Sequence, residues 1–264
     1  MAKGQKPRKK SSAQETTVPL RAMDGTPFYA IPTEAANNVR RMITGIMHRE
    51  NLPARISVIA TLRKEGVTYI SLALAATLAN DLDTRVCALE LNWYNPGMYD
   101  HLSTSTKKRG SKQTARRTPD QADTHGLMRD NPGLAGVLLQ RAALDDVLIQ
   151  TDRPNLSLLP AGDLPMSQRP LIARSDMLKN CIEELNQRFD HLILDIPAIM
   201  LTSDAIALAS LGSACCMVVH QGITPVNDVK MGLDEVKHLP MLGVVLNKTY
   251  IHTPRWIRAF LPEG

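Results

Sequence analysis

Short, continuous apolar runs that alternate with helical patterns constrain the fold of this chain most strongly. The runs read as buried strands and lie at 55–61, 85–91, 155–160, 192–195, 215–219 and 242–246. Helical patterns lie between most of them, at 66–80, 168–188, 203–210 and 226–237. Buried strands that alternate with helices indicate a parallel sheet covered on both faces. We therefore predict a doubly wound, mostly parallel α/β sheet in a single domain.

Polar segments flank and interrupt this pattern. Residues 1–32 are rich in Lys, Ser, Thr and Pro, and we expect a disordered basic tail there. The α/β domain is predicted over 33–250, and it begins with a helix from Thr33. Within it, a polar loop at about 98–130 is expected to be disordered, because long loops without secondary structure are uncommon in compact domains. Residues 251–264 are predicted to form a C-terminal tail.

Charge and apolar content limit the classes of function. The formal net charge is +5, concentrated in basic clusters at 3–10 and 107–117. Neither cluster contains interleaved aromatic residues, so we expect no specific nucleic-acid partner; weak attraction to anionic lipid is the alternative. No apolar run reaches the roughly 18 residues that a membrane span needs, and we expect a cytoplasmic protein.

Parallel sheets bind ligands at the carboxyl ends of their strands, and the first strand is followed there by TLRKEGVT, residues 61–68. A phosphate-binding loop of the type GxxxxGK[ST] uses glycines to wrap phosphate, a lysine to contact its oxygens and a hydroxyl to hold magnesium. Gly66 and Thr68 fit the last glycine and the hydroxyl. Thr61 stands at the first glycine, and Val67 stands in place of the lysine.

Further motifs follow the later strands in a fixed order. The second strand leads into LELNWYNP, where Glu90, Asn92 and Tyr94 stand in register with an acidic IDxDxRxP motif. GLAGVL at 133–138, NLSLLPAG at 155–162, FDHLILDIP at 189–197 and GVVLN at 243–247 come next. Asp195 closes the fourth strand. One role for its carboxylate at this place is to cap the turn that follows the strand.

In order and spacing these motifs resemble the bacterial tyrosine kinases of capsule and exopolysaccharide synthesis, which are relatives of the partitioning and septum-placement ATPases. The resemblance covers about 33–247 and implies a P-loop NTPase-like fold that binds ATP or ADP with Mg²⁺. It implies nucleotide-binding positions at Glu65, Gly66, Val67, Thr68 and Asn247. It implies metal-binding positions at Thr68 and Asp195, and catalytic positions at Asp195, Glu90 and Asn92.

The resemblance also implies partners. Kinases of this family work with a membrane protein of polysaccharide chain-length control or export, which would place the chain at the inner face of the cell membrane. A Glu-x-x-Arg-x-x-Arg pattern mediates ring assembly in the family, and here it becomes Glu34, Asn37 and Arg40. A homo-oligomer and an ordinary amphipathic helix are both open interpretations. The family's C-terminal tyrosine cluster is reduced to Tyr250, and the nearby Trp256 suggests packing or docking to a partner.

Three departures from the family pattern affect the same phosphate end of the site: the missing lysine, the missing first glycine and the missing second aspartate. They favour a degenerate P-loop protein with a regulatory or adaptor role. One alternative is an active ATP-dependent tyrosine kinase or ATPase in which Arg63 or Lys64 supplies the missing cation. The other is a positioning protein that uses its basic segments on membrane or DNA.

Overall fold

A computed structural model describes residues 17–21, 23, 27–49, 51–98 and 131–248. Its strands are β1 (Thr17–Arg21), β2 (Pro27–Pro32), β3 (Arg55–Ala60), β4 (Val86–Glu90), β5 (Ile149–Gln150), β6 (Leu156–Leu159), β7 (His191–Asp195), β8 (Ala214–His220) and β9 (Met241–Asn247). Its helices are α1 (Thr33–Met47), α2 (Val67–Asp81), α3 (Gly133–Leu138), α4 (Leu144–Val147), α5 (Arg169–Ala173), α6 (Asp176–Arg188), α7 (Asp204–Ala209) and α8 (Val226–Glu235).

Seven strands form the central sheet in the order β5-β6-β4-β7-β3-β8-β9. Neighbouring strands are parallel throughout, except that the short β5 runs antiparallel to β6 at one edge. Crossover connections return the chain to the same end of the sheet before each parallel strand. The carboxyl ends of β3, β4, β7, β8 and β9 therefore lie together at the opposite end. The predicted doubly wound, mostly parallel sheet is confirmed.

The strands are central because their side chains are apolar on both faces. β4 (VCALE) is buried at every position, and β3 and β7 are buried at all positions but the first. α2 has a continuous Ala- and Leu-rich run and is buried on nearly all sides, which is typical of a helix enclosed by other elements. It lies between the sheet and α1.

Helices cover both faces of the sheet. On one face α1 and α2 pack together with Leu20 and Ile31 of the β1–β2 hairpin. The amphipathic α1 buries Val39 and Ile43 against this layer. On the other face α3 and α5 to α8 pack over a second apolar cluster. The three-layer arrangement exposes the carboxyl ends of the central strands between the helix layers.

The structure differs from the sequence prediction in two places. Residues 17–32 contain an antiparallel hairpin, so the expectation of an unstructured segment up to 32 is wrong for that part. The predicted helix 168–188 is two helices, because the chain breaks at Arg174 and Ser175 and the Ser175 hydroxyl accepts a hydrogen bond from the Leu178 N–H at 3.2 Å. The basic loop at about 98–130 and the tail at 251–264 lie almost wholly outside the described residues.

None of the helices in the described ranges combines the length and the apolar character that crossing a bilayer requires.

Candidate functional site

The loop between β3 and α2 has the backbone shape that its glycine allows. Gly66 has φ 99° and directly precedes the first residue of α2. A Cβ at Gly66 would overlap the side-chain amide of Asn247, so both the backbone angle and the close approach require glycine. Lys64 also has a positive φ, of 66°, which is uncommon for a residue with a side chain.

Glu65 points into the loop and not towards solvent. The residue is 2% exposed. One carboxylate oxygen accepts a hydrogen bond from the Leu62 N–H at 3.0 Å, and the other accepts one from the Thr224 hydroxyl. The Leu62 N–H is therefore already bound to an anion that belongs to the protein.

The end of β9 holds the loop from its other side. The Asn247 side-chain amide donates to the Glu65 carbonyl at 2.7 Å, and the Lys248 ammonium donates to the Lys64 carbonyl at 2.6 Å. The Asn247 amide therefore binds the loop backbone, at the position where the family resemblance implies a contact with adenine. We call Asn247 and Lys248 the β9 clamp.

A cavity of about 140 Å³ lies in front of the loop. Such a volume is below the roughly 300 Å³ at which small-molecule pockets begin. Its walls are residues 62–68 of the loop and helix start, Asn92, Asn95 and Gly97 after β4, and Ile196, Ala198 and Leu201 after β7. Val67 places an apolar side chain where a phosphate-binding lysine would stand. The exposed Arg63 and Lys64 and the N-terminus of α2 supply the positive charge near the cavity.

Glu90 is buried, and its carboxylate hydrogen-bonds the backbone of two loops. One of its carboxylate oxygens accepts hydrogen bonds from the N–H groups of Gly97 at 2.6 Å and Met98 at 2.8 Å, and the other accepts from the Ala161 N–H at 3.1 Å. Three backbone donors favour the charged carboxylate. The side chain thus fastens the segment after β4 to the segment after β6, and it does not line the cavity.

Asp195 lies beside Glu90 on the neighbouring strand, and both are fully buried. Among the described residues no donor meets hydrogen-bond geometry at either carboxylate oxygen of Asp195. Burial and the nearby charge of Glu90 raise the pKa of Asp195 well above its ordinary value; the Thr68 hydroxyl, which falls short of that geometry, offsets part of the rise.

Tyr94 replaces the family's arginine and anchors a second polar cluster. Its hydroxyl donates to Asp204, and the Arg174 guanidinium donates to the same carboxylate at 2.5 Å. Burial alone would raise the pKa of Asp204, but the hydrogen bonds from Tyr94 and Arg174 outweigh it and lower the pKa. Tyr94 therefore ties the loop after β4 to the start of α7.

The predicted site residues separate into three groups. Glu65, Gly66, Val67, Thr68 and Asn92 line the cavity. Glu90 and Asp195 are buried outside its lining, and Asn247 lies behind the loop. Asn92 also accepts a hydrogen bond from the Asn95 N–H at 3.1 Å, which closes the turn after β4.

Sequence reasoning missed Thr224, Lys248 and Asp204 as neighbours of the site. Thr224 and Lys248 follow the carboxyl ends of β8 and β9, so the rule that pointed to the other strand ends would have found them. Asp204 opens α7, and no pattern in the sequence linked it to Tyr94.

Arg40 of the modified assembly motif is used within the chain. Its guanidinium contacts Asp81 of α2 through two nitrogens, at 2.5 and 3.0 Å, and it donates to Asn37 at 2.6 Å. The two contacts with Asp81 fasten α1 to α2.

Comparison with curated proteins finds tyrosine kinases. The chain is 22% identical over 249 residues to the tyrosine-protein kinase ptk of Acinetobacter johnsonii, covering 90% of this chain and 30% of that protein. It is 30% identical over 118 residues to the tyrosine-protein kinase CpsD of Streptococcus agalactiae, covering 44% and 51%. It is 31% identical over 121 residues to the succinoglycan biosynthesis transport protein ExoP of Rhizobium meliloti, covering 44% and 15%. The chain thus spans about half or less of the length of these relatives. No family model matches it.

Solved structures share the fold. The kinase domain of VpsO aligns with a TM-score of 0.67 at 19% identity, covering 83% of this chain and 96% of that one. The septum site-determining protein MinD of Pyrococcus horikoshii, solved with Mg-ADP, aligns with a TM-score of 0.52 at 20% identity, covering 78% and 76%. At this identity the likeness establishes the P-loop NTPase-like fold alone. Together with the curated relatives it confirms the predicted resemblance: the homologues of this chain are the bacterial tyrosine kinases of capsule and exopolysaccharide synthesis.

Proposed function

We propose that this protein is a degenerate member of the kinase-like group, acting as a regulatory or adaptor component of capsule or exopolysaccharide synthesis and export. The observation that supports the proposal most strongly is that the loop between β3 and α2, where a phosphate would bind, is hydrogen-bonded by side chains of the protein itself. Glu65 binds the Leu62 N–H from inside the loop, and Val67 stands in the lysine position. The β9 clamp binds two loop carbonyls from behind.

Energetics support weak nucleotide binding. Loss of a lysine contact to phosphate removes a charge-assisted hydrogen bond worth about 1.5–3 kcal/mol. Tenfold in affinity corresponds to about 1.4 kcal/mol, so the substitution alone lowers affinity roughly tenfold to a hundredfold. The carboxylate of Glu65 adds repulsion, because a phosphate in the cavity would approach an existing negative charge.

The acidic side of the site supports the same proposal. Magnesium prefers charged or carbonyl oxygens in near-octahedral geometry, whereas Asp195 is fully buried and stands outside the lining of the cavity. Asn92 has no charge, and its side-chain oxygen already accepts a backbone hydrogen bond. The residues present therefore do not fit a tightly held Mg-nucleotide, and we derive no phosphoryl-transfer step.

Similarity to a transport protein of polysaccharide synthesis supports a membrane partner. In this proposal the chain binds a membrane protein of chain-length control or export and sits at the inner face of the cell membrane. Arg63 and Lys64 at the rim of its cavity lie at the same end of the sheet as the loops after β4 and β7. Partner binding would then substitute for nucleotide turnover as the functional output.

The test measures ATP turnover and phosphotyrosine formation by the purified protein together with co-purification of membrane proteins from its own host. We expect no turnover above the background of an Asp195→Asn variant, while a polysaccharide-export protein co-purifies with both. Robust turnover that Asp195→Asn abolishes would contradict the proposal.

A second candidate is an active kinase or ATPase with a relocated cation. The observation that favours it is that Arg63 and Lys64 both line the cavity. It requires that Arg63→Ala or Lys64→Ala abolish turnover, with Lys237→Ala on the surface beyond α8 as the control. If turnover is unchanged in both cavity variants, neither Arg63 nor Lys64 supplies the missing cation.

The positioning role on membrane or DNA stays a prediction, because both basic clusters lie outside the described residues. It requires salt-sensitive binding that is lost when residues 1–32 or 104–125 are deleted.

A further inference from the structure

Large apolar side chains are exposed at one end of the seven-stranded sheet. The loops after β6, β7 and β8 begin at the carboxyl ends of parallel strands, so they lie at the same end. These loops expose Met166 by 73%, Met200 by 47% and Ile223 by 68%. Leu171 in α5 and Val226 at the start of α8 are 73% and 69% exposed.

Contacts of α5 place this short helix at the same end. The Arg169 guanidinium lies 5.1 Å from the centre of the Tyr94 ring, and the Arg174 guanidinium donates to Asp204 at 2.5 Å. Tyr94 follows the carboxyl end of β4, and Asp204 opens the helix that follows β7. The exposed Leu171 therefore belongs to the same surface as Met166 and Met200.

The opposite end of the sheet has a different surface. The loops at 82–85, 189–190, 210–213 and 236–240 lead into the amino ends of β4, β7, β8 and β9. Their larger apolar side chains are partly buried and pack against the core; they are Leu82, Phe189, Leu211 and Leu239. Among the described loops of this sheet, large apolar side chains are thus exposed at the carboxyl end alone.

Positive charge is interleaved with the exposed apolar side chains. The cations at this end are Arg63 and Lys64 after β3, Arg169 in α5 and Lys248 after β9. The carboxylates of Glu65 and Asp204 are buried there and are hydrogen-bonded within the protein. The more open Asp163 and Asp228 oppose the four cations only in part. The surface therefore combines apolar side chains with an excess of positive charge.

The spacing of these side chains favours a lipid surface as the ligand. Met166 follows β6 and Ile223 follows β8, and four strand spacings separate those strands, which corresponds to about 19 Å. Apolar side chains on separate loops so far apart do not form the single packed pocket of a protein hot spot. They can all enter a bilayer interface, where no lateral position is fixed, while Lys and Arg beside them attract anionic head groups.

We propose that the carboxyl end of the sheet rests directly on an anionic lipid surface. The exposed apolar side chains enter the head-group region, and the cations contact the lipid phosphates. The proposal rests on the proposed location at the inner face of the cell membrane, but the contact is with the lipid itself and needs no protein partner. It also covers the cavity, because Arg63 and Lys64 line its rim.

The test is co-sedimentation of the full chain with vesicles made of equal parts of phosphatidylethanolamine and phosphatidylglycerol. Vesicles of phosphatidylcholine alone are the neutral comparison. We expect the parent to bind the anionic vesicles and to bind the neutral ones at least about fivefold more weakly, since a single Lys or Arg near an anionic surface contributes about that factor in affinity.

Matched substitutions identify the surface that makes the contact. Met200→Asp and Ile223→Asp should each weaken binding to the anionic vesicles by about tenfold, because each removes an apolar contact and adds a negative charge. Met241→Asp is the control, at a residue 38% exposed that begins β9 at the opposite end. A seven-residue strand spans about 23 Å, so this charge lies beyond a Debye length from the membrane and should change binding by less than about twofold.

The three variants change the net charge equally, so the basic clusters at 3–10 and 107–117 contribute alike in all of them. Circular dichroism checks that each variant is folded. A parent that does not bind the anionic vesicles overturns the proposal, whether or not the variants fold. Equal binding by all three variants also overturns it, because attachment would then come from other segments.

A soluble polyanion is the remaining alternative. Binding of the parent to heparin, with none to the vesicles, would assign the surface to such a ligand and contradict the proposal. The vesicles contain no protein, so their result is independent of the co-purification that tests the proposed function.

Discussion

At the residue scale, Glu90 and Asp195 show how environment separates two neighbouring carboxylates. They lie side by side on β4 and β7 and are both fully buried. Glu90 accepts three backbone hydrogen bonds, whereas no donor among the described residues meets that geometry at Asp195. The extra methylene of Glu90 lets its carboxylate reach the amides of two loops. The same acidic pair that implies catalysis in the family therefore has opposite energetic roles here.

Conservative amide substitutions should separate these roles. In Glu90→Gln the side-chain amide faces a backbone N–H, and one charge-assisted bond is lost. We expect a loss of about 3 kcal/mol in the free energy of unfolding. Asp195→Asn, the matched buried control on the adjacent strand, should change it by less than about 1 kcal/mol or increase it. Urea unfolding at pH 7 measures both, and an equal loss in the two variants would contradict this assignment.

The pH dependence of stability follows from the raised pKa of Asp195. Between the unfolded and folded pKa values, the folded state keeps a proton that the unfolded state has lost. Stability is therefore greatest below the unfolded pKa, and it falls as pH rises towards the folded pKa, by about 1.4 kcal/mol per pH unit. We expect urea midpoints of the parent to fall relative to those of Asp195→Asn from pH 4.5 upward. Parallel curves for the two proteins would show that the pKa of Asp195 is not raised.

At the element scale, the loop after β3 depends on the strand farthest from it along the chain. Gly66 precedes α2, while Asn247 ends β9, and the two meet so closely that only glycine fits. The contact couples the phosphate loop to the edge of the sheet. We therefore expect a substitution at Gly66 to change the energetic effect of a substitution at Asn247, and the reverse.

A double-mutant cycle measures this coupling. Gly66→Ala should lower the free energy of unfolding by about 1–2 kcal/mol from backbone strain, with a further cost from overlap with Asn247. Asn247→Ala should cost about 1 kcal/mol through the lost hydrogen bond to Glu65. Because the overlap disappears in the double variant, its total loss should be smaller than the sum by about 1 kcal/mol. Strict additivity would mean that the two residues do not touch.

The elements of the sheet were predictable because the strands are continuously apolar and the connecting helices α2, α6 and α8 are long. β3, β4, β7 and β8 formed where expected. The β1–β2 hairpin was missed, because its strands contain prolines at 19, 27 and 32, and proline is depleted in strands. The break before α6 had a local signal, the capping Ser175, that the helical pattern around it obscured.

The interior of the candidate site was less predictable. The loop, its substituted lysine and the acidic strand ends were recognised from sequence. The inward turn of Glu65 was not, because its hydroxyl partner, Thr224, is 159 residues away in the chain. The bond between Tyr94 and Asp204 likewise joins residues 110 apart. Such contacts depend on how the elements pack, and no local pattern encodes them.

At the scale of the whole molecule, a P-loop NTPase-like fold carries a loop after β3 in which the Glu65 carboxylate binds the Leu62 N–H. The fold is shared with the kinase domain of VpsO and with MinD, which was solved with Mg-ADP. The departures from the family pattern are at Thr61, Val67 and Asn92. The scaffold therefore predicts that nucleotide binding can be restored by a single change, which a general loss of fold would not allow.

Equilibrium binding of Mg-ATP and Mg-ADP, measured by calorimetry on the parent, Val67→Lys and Asp195→Ala, tests this account most directly. We predict no submillimolar binding by the parent and a gain of at least about tenfold in Val67→Lys, as expected for one restored charge-assisted contact. Submillimolar binding by the parent that Asp195→Ala weakens would contradict the account, because it would show that the site holds a magnesium nucleotide as it stands.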